Sequence, residues 1–457
     1  MAKKMGPEIP ALHKTTHQDG GTDEIEVTGL SGKLSGEQRH SIYKNGSLVG
    51  TNSKLDLIEG TNVTLSTNND GEYTHVSINS PSTAPLAHAS THEKGGADYV
   101  DPMRFATYTV STNAADMADY SDMRTAIVAL LAAGGGTIVA LGGSYTISTE
   151  ITITDTDASK MLRIVGVKPT TINAGANITI FNCTMSTPLN EMSFENIIFN
   201  VNGYNARFFS WRRLFPQWVL FDKCYFSQGT STQPFMQFQA EGVGQTRNKV
   251  HFDKCKINGP SLHSFFYGTY VSAGGGFEGI TFEDCFISTQ YPLLRTATST
   301  ILSNVEINNC LFDHQGKEFI YCLDDCRNLR ITNCYGQILI ASPLSYLTAL
   351  YGNSFSDVLI ANNNLTVSGG HIIADQTASS FNVRILGNSF TELYNGRGVE
   401  LDGRGHMFSN NVLTADGGAI PVINFQDGYG IIMGNTWPNG APTITNVNGI
   451  TVNNLTL

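Results

Sequence analysis

The densest set of side chains able to do chemistry lies in one decapeptide, RGVELDGRGH (397–406). Glu400, Asp402, Arg404 and His406 occupy alternate positions. In an extended strand they would project to one side while Val399 and Leu401 project to the other. Two carboxylates beside an imidazole and a guanidinium suit general acid/base catalysis. The same text also reads as an ordinary strand-ending turn, with Asp402 bonded to backbone and Gly403 at positive φ. A second group is the aromatic and basic stretch FFSWRRLFPQW (208–218). There Trp211, Arg212, Arg213 and Trp218 would make a platform for sugar rings, or a packing surface between chains. A third is a duplicated motif. His13-x3-His17-x2-Gly20-Gly21-x-Asp23 recurs 75 residues on as His88-x3-His92-x2-Gly95-Gly96-x-Asp98. If three chains crossed at such a motif, two histidines from each would offer six imidazoles, enough for an octahedral metal ion. The alternative is a capped turn with each His bonded to backbone. The Gly-Gly pair suits close chain approach in either case.

These side chains need a scaffold, and a repeat supplies it. Segments of the form apolar–polar–polar–Cys/Asn recur as FDKC, FDKC, FEDC, INNC, ITNC, IANN, ILGN, FSNN and IMGN. They mark a column of Cys224, Cys255, Cys285, Cys310, Cys334, Asn363, Asn388, Asn411 and Asn435, spaced 23 to 31 residues apart. One short β-segment per repeat at this period is the pattern of a solenoid. Val, Ile, Phe, Asn and Gly without a 3.6-residue period exclude helical repeats. Stacked in parallel about 4.8 Å apart, the column becomes a ladder. Asn would bond Asn along it and tolerate a left-handed turn, while Cys would act as a small buried hydrophobe. Aligned on this column, Asp375 falls one rung before Asp402, and Asp324 falls in a similar column two rungs earlier. Carboxylates about 5 Å apart match a retaining glycosidase pair, and their repulsion would raise one pKa. The eight cysteines read as reduced buried thiols.

Upstream of the repeat, Ser121 or Asp122 caps a predicted helix over TAIVALLAA, which Gly134-Gly135-Gly136 stops. Such a helix would cover the open edge of a strand stack. Strands TIVAL and SYTI flank Gly142-Gly143. Earlier still, Val63/Leu65 and Val76/Ile78 alternate with polar residues around Asn68-Asn69-Asp70-Gly71, predicting a hairpin. A hairpin this small needs copies of itself. The expected organisation is an attachment or collar motif (1–35), a small β-hairpin shaft (36–80), a second collar and linker (81–114) and a solenoid (115–457).

Composition narrows the classes. A net charge of −11 argues against non-specific nucleic-acid binding. No apolar run reaches the ~18 residues of a membrane span. MAKKMGPEIPALHK has no apolar core of the kind a secretion signal needs.

The segment ALLAAGGGTIVALGGSYTIS resembles the entry of the pectin-lyase-like right-handed parallel β-helix family. The resemblance runs from about Ala115 to Leu457 and implies an all-β fold with an N-terminal helix cap. Polysaccharide lyases and hydrolases on that fold carry their acids on the outer face. The resemblance thus makes Asp375, Glu400 and Asp402 candidate catalytic residues. Trp211, Arg212, Trp218, Arg404 and His406 become candidate glycan contacts. The duplicated His/Gly-Gly/Asp motif and Ile58-Glu59-Gly60-Thr61-Asn62-Val63-Thr64 resemble the shaft and collar modules of bacteriophage tail fibres. YVDP after Asp98 departs from that pattern, where a Pro-containing ITP segment is usual.

That resemblance implies a homotrimeric virion fibre or tailspike, made in the host cytoplasm and carried on the extracellular particle. Residues 1–35 would join it to a baseplate, tail or neck protein. It would bind a host surface polysaccharide, with no nucleic acid and no membrane insertion. The implied alternatives are a polysaccharide depolymerase and a decorative head or neck fibre. No cofactor is called for beyond a metal ion at His13, His17, His88 and His92.

Overall fold

The computed structural model describes short strands between residues 41 and 79 and most of the chain from Ala106 on. Within the latter, residues 188, 202, 213–215, 241–248, 260–261, 271–274, 299, 341–347, 369–370, 376–379, 392–397, 415–421, 439–442, 448–449, 453 and 457 are not described. The chain divides into two units, Met1–Pro102 and Met103–Leu457. In the first, Ser41–Lys44 pairs antiparallel with Ser47–Leu48 and parallel with Lys54–Leu57. Thr64–Asn69 and Thr74–Asn79 form the expected antiparallel hairpin. Its turn falls later than the sequence suggested, because Asn68 and Asn69 are still paired, with His75 and Thr74.

The second unit is a parallel β-solenoid. Its sheet already includes Ala106–Val110, upstream of the expected start at residue 115, paired in parallel with Gly136–Ala140. Helix α1 (Met123–Ala132) follows, with Asp122 as N-cap accepting the Thr125 N–H at 2.7 Å. It buries Met123, Ala126, Ile127, Leu130 and Leu131 in the same core as the strands.

From there the strands stack in three columns, each pairing in parallel with its equivalent one turn on. In the first column, Ile164, Phe194, Phe221, Phe252, Phe282, Ile307, Ile331, Ile360, Ile385, Phe408 and Ile432 lie in one register. Alternation explains the burial: Val219 and Phe221 are buried while Trp218 and Leu220, which alternate with them, are exposed. Phe194, Phe221, Phe252 and Phe282 stack nearly parallel, at centroid distances of 5.3, 5.0 and 4.6 Å. Equal side chains at strand spacing offer each ring a flat partner above and below.

The predicted ladder stands at the corner between the first and second columns. Asn363 Nδ2 and backbone N–H both donate to Asn388 Oδ1 at 2.9 Å. Asn388 repeats this toward Asn411, and Asn411 toward Asn435. The series then runs one rung past the predicted column, to Asn454. Each Asn Nδ2 also reaches back to a carbonyl, as Asn388 does to Ile360 O at 2.9 Å.

The cysteines use the same geometry. Cys255 Sγ donates to Phe221 O at 3.2 Å, and Cys285 Sγ to Phe252 O at 3.4 Å. The left-handed turn, however, is not on the ladder residue. It falls one residue earlier, at Lys223, Lys254, Asp284, Asn309, Asn333, Asn362 and Asn410, with Gly387 and Gly434 completing the series. The ladder side chain is thereby turned inward.

Candidate functional site

The third column carries a row of side chains whose order was not anticipated. Its buried register line runs Phe209, Met236, Phe266, Leu294, Ile320, Leu350, Ile373, Val399 and Ile423. The next residue on each strand therefore faces outward: Gln237, Tyr267, Arg295, Tyr321, Tyr351, Ala374, Glu400 and Asn424 in order. The Tyr321 and Tyr351 rings stack at 5.0 Å and 10°. Arg295 lies between aromatic neighbours, its guanidinium carbon 5.3 Å from the Tyr321 ring centre and 5.9 Å from that of Tyr267.

Because these groups cover one another's faces, they offer solvent their edges, a row of hydroxyls and guanidinium N–H at strand spacing. Burial, with Glu318 nearby, raises the phenol pKa of Tyr321. Burial does the same for Tyr351, with Tyr321 and Glu318 nearby. Both therefore remain hydrogen-bond donors at neutral pH. The sequence held a signal for this row that the reading missed. Phe265-Phe266-Tyr267, Leu293-Leu294-Arg295, Phe319-Ile320-Tyr321 and Ala349-Leu350-Tyr351 repeat an apolar pair before the outward residue, at the same period as the ladder.

Further along the same column lies the predicted acid group, and the structure gathers only part of it. Glu400 projects outward and lies 3.5 Å from His371 Nε2. Asp375 sits in a different line. Its register continues Cys322 and Gly352, the inward side of the strand. Both Asp375 oxygens accept the Asp402 backbone N–H at 3.0 Å. Burial raises its pKa to about 7; bonds from Ser380 and the Asp402 amide pull the other way. The Asp402 carboxylate accepts the Gly403 N–H at 2.8 Å. The two acids are thus neighbours, linked through backbone amides in the manner of a turn.

The shared parity of Glu400, Asp402, Arg404 and His406 does not hold. The strand Val399–Ser409 breaks register on both sides of Arg404, where Gly403 and Gly405 take positive φ. At Gly403 any Cβ would strike the Ser380 carbonyl. After this corner Arg404 is exposed, whereas His406 is buried, 5.3 Å from the Phe425 ring and 3.3 Å from Asp402 O. Burial depresses its pKa. Glycan contact by His406 is therefore corrected to a core position. Asp324 is not in line with Asp375 either. It falls in the register break between Cys322 and Asp325.

The aromatic stretch divides likewise. Trp211 is fully buried, in register with Phe238, and cannot meet a sugar. Arg212 is exposed at the end of that strand, and Trp218 is exposed in the first column beneath Lys249, whose Nζ is 4.5 Å from the ring centre. The three do not make one platform.

His13, His17, His88 and His92 lie outside the described residues. Among the described residues no group of His, Cys, Asp and Glu is arranged to hold a metal, and no helix is long and apolar enough to cross a membrane. All eight cysteines are free and buried. Compared with known proteins, the chain matches no family model, no curated protein and no solved structure.

Proposed function

We propose that this chain is a fibre or tailspike subunit of a bacteriophage virion that holds a host surface glycan along its solenoid. The observation that carries the binding role is the outward row Tyr267, Arg295, Tyr321 and Tyr351. Four long polar-tipped side chains in consecutive rungs form a linear, regularly spaced set of donors, which suits a linear polymer of hydroxylated rings. The pairing of neighbours immobilises each side chain beforehand, so little rotamer entropy is lost on binding. The fibre role rests on the duplicated His/Gly-Gly/Asp motif and on the hairpin Thr64–Asn69/Thr74–Asn79, too small to stand alone. Three copies around one axis would add avidity to weak single sites. On this reading the solenoid is right-handed and α1 covers its first turn.

Two measurements test the proposal. Light scattering on a sizing column should give a mass near three chains, and an array of bacterial surface glycans should give at least one saturable signal. A folded monomer would remove the fibre role, and an array without signal would remove the binding role.

A second reading, cleavage of the bound glycan, is favoured by one observation. Asp375, with its pKa raised to about 7, adjoins Asp402, near Glu400 in the same column as the tyrosines. A carboxyl titrating near neutrality suits a general acid. Release of new reducing or unsaturated ends from a bound glycan, lost in Glu400→Gln and Asp402→Asn with binding retained, is the expected result if this reading holds. Binding without any chain shortening would leave the protein an adhesin.

A further inference from the structure

Three basic side chains are strung along one stretch of the third column, beside the tyrosine row. Arg207 opens the strand Arg207–Arg212, His263 precedes Phe266–Tyr270, and Arg295 lies in Leu294–Thr296; in the third column Met236–Ala240 stands between the first two of these strands, so Arg207 and Arg295 are three rungs apart. The two arginines are unlike most of the chain's partnered cations. Arg163 meets Glu195, and Arg327 meets Asp325. Among the described residues no carboxylate lies within ion-pair distance of Arg207 or Arg295. The Arg207 guanidinium donates to the neutral Gln233 Oε1, at 2.7 Å. Nε of each arginine is buried and bonded to nothing.

This occurs in a chain with 39 acidic and 28 basic residues, where a counter-ion would be easy to supply. Half-buried guanidinium groups without one keep an unmet electrostatic demand, because their own hydration is already reduced. His263 reports the resulting field: burial, Arg295 and Arg207 lower its pKa to about 4, so it stays neutral and leaves the two guanidinium charges unshared. Its Nδ1 accepts the Ser264 N–H. Arg295 is packed between Tyr267 and Tyr321, and a planar guanidinium held in this way is suited to engage carboxylate or sulfate in two parallel bonds.

We propose that the glycan held by the tyrosine row is anionic, its acid groups seated on Arg295 and Arg207. This deepens the binding role above and rests on it. Tyr321 and Tyr351 contribute hydroxyls to the sugar; Arg295 and Arg207 select the charge. The overall negative charge of the chain repels polyanions elsewhere, so the cluster confers position as well as class.

The test uses the full chain and four defined probes: polyuronate oligosaccharides, the same oligosaccharides with their carboxyl groups reduced, sulfated dextran and neutral dextran. Calorimetric titrations compare wild type with Arg295→Gln, Arg207→Gln and Tyr321→Ala. Arg330→Gln, an exposed arginine of the first column, is the control. The expected result is binding of a charged probe at least tenfold tighter than its uncharged counterpart. That preference should collapse in Arg295→Gln and Arg207→Gln, and not in Arg330→Gln. Polyuronate and sulfated dextran then tell which acid is preferred. Arg295→Lys, which keeps the charge without the fork, should fall between, and thermal melting confirms that each variant is folded. Equal binding of charged and reduced oligosaccharides, lost in Tyr321→Ala, would overturn the anionic class while the tyrosine row stood. Charge-selective binding indifferent to both arginines would overturn the assignment to this cluster. Failure of all four probes would count against the row and the cluster together.

Discussion

The solenoid changes character along its length, inside and out, near the same place. From Tyr267 to Tyr351 the outward row of the third column is Tyr, Arg, Tyr, Tyr; beyond it the row is Ala374, Glu400 and Asn424. Up to Cys334 the inner ladder is sulfur, and from Asn363 it is amide. The backbone pattern is common to both stretches. Cys and Asn side chains donate to equivalent carbonyls three residues before the previous rung, such as Ile307 O for Cys334 and Ile331 O for Asn363. The difference lies in how each stretch is stabilised. The early rungs combine weak thiol bonds with stacked phenylalanines, so they depend on apolar burial. The later rungs place Ile at most equivalent positions and combine them with a continuous amide chain, so they depend on hydrogen bonds that cannot be replaced by water. One fold thus tolerates two core chemistries, while its outer surface is free to vary rung by rung.

The sharpest way to break this comparison is Asn388→Ala. It removes the acceptor of two Asn363 donors and takes the Nδ2 donor from Ile360 O and from Asn411 Oδ1, which keeps only the backbone N–H of residue 388. Several unmet buried groups should cost about 3 kcal/mol or more in a denaturation experiment. Phe252→Leu, in the middle of the ring stack, should cost less, about 1–2 kcal/mol, through lost area and the loss of two stacked and two edge-on ring contacts. Cys285→Ala should be milder, about 1 kcal/mol, since only a small side chain and weak sulfur bonds go. Equal losses for Asn388→Ala and Cys285→Ala would show that the two ladders do the same work.

The last prediction concerns pH. Burial raises the Asp375 pKa to about 7 in the folded chain, against about 4 when unfolded. Between those values the unfolded chain releases the proton and the folded chain keeps it. This carboxyl therefore makes stability fall as pH rises from about 4 to about 7, with no further change above. Asp375→Asn should remove that slope, so its melting temperature should gain on wild type over the same interval. A difference constant across the range would place the Asp375 pKa elsewhere.

Much of the fold was legible because its determinants are local and repeated. The Cys/Asn column needed only a period and a chemical likeness, and Asp122 as N-cap needed only its place before the apolar run. The candidate site was harder. Counting from the ladder placed Asp375 one rung before Asp402; the register aligns Ala374 with Glu400, which sets Asp375 one position off, and what joins it to Asp402 is carboxylate to backbone amide. His406 and Trp211 were misplaced for related reasons. Parity in a strand fixes a face only while the register holds, and Gly403 and Gly405 break it before His406. Trp211 sits on the inward parity of its strand, which the basic residues after it obscured. The Tyr/Arg row was missed because its residues differ in type, although the apolar pairs that precede them keep the period.

The claim that the Tyr267–Tyr351 row holds the glycan is tested most directly by titrating the best oligosaccharide from an array against three proteins: wild type, Tyr321→Ala/Tyr351→Ala, and Trp218→Ala as an exposed aromatic of another column. The account predicts a loss of at least tenfold for the double variant, both variants remaining folded, and little change for Trp218→Ala. Unaltered affinity in the double variant, with loss in Trp218→Ala, would contradict it and move the binding face to the first column.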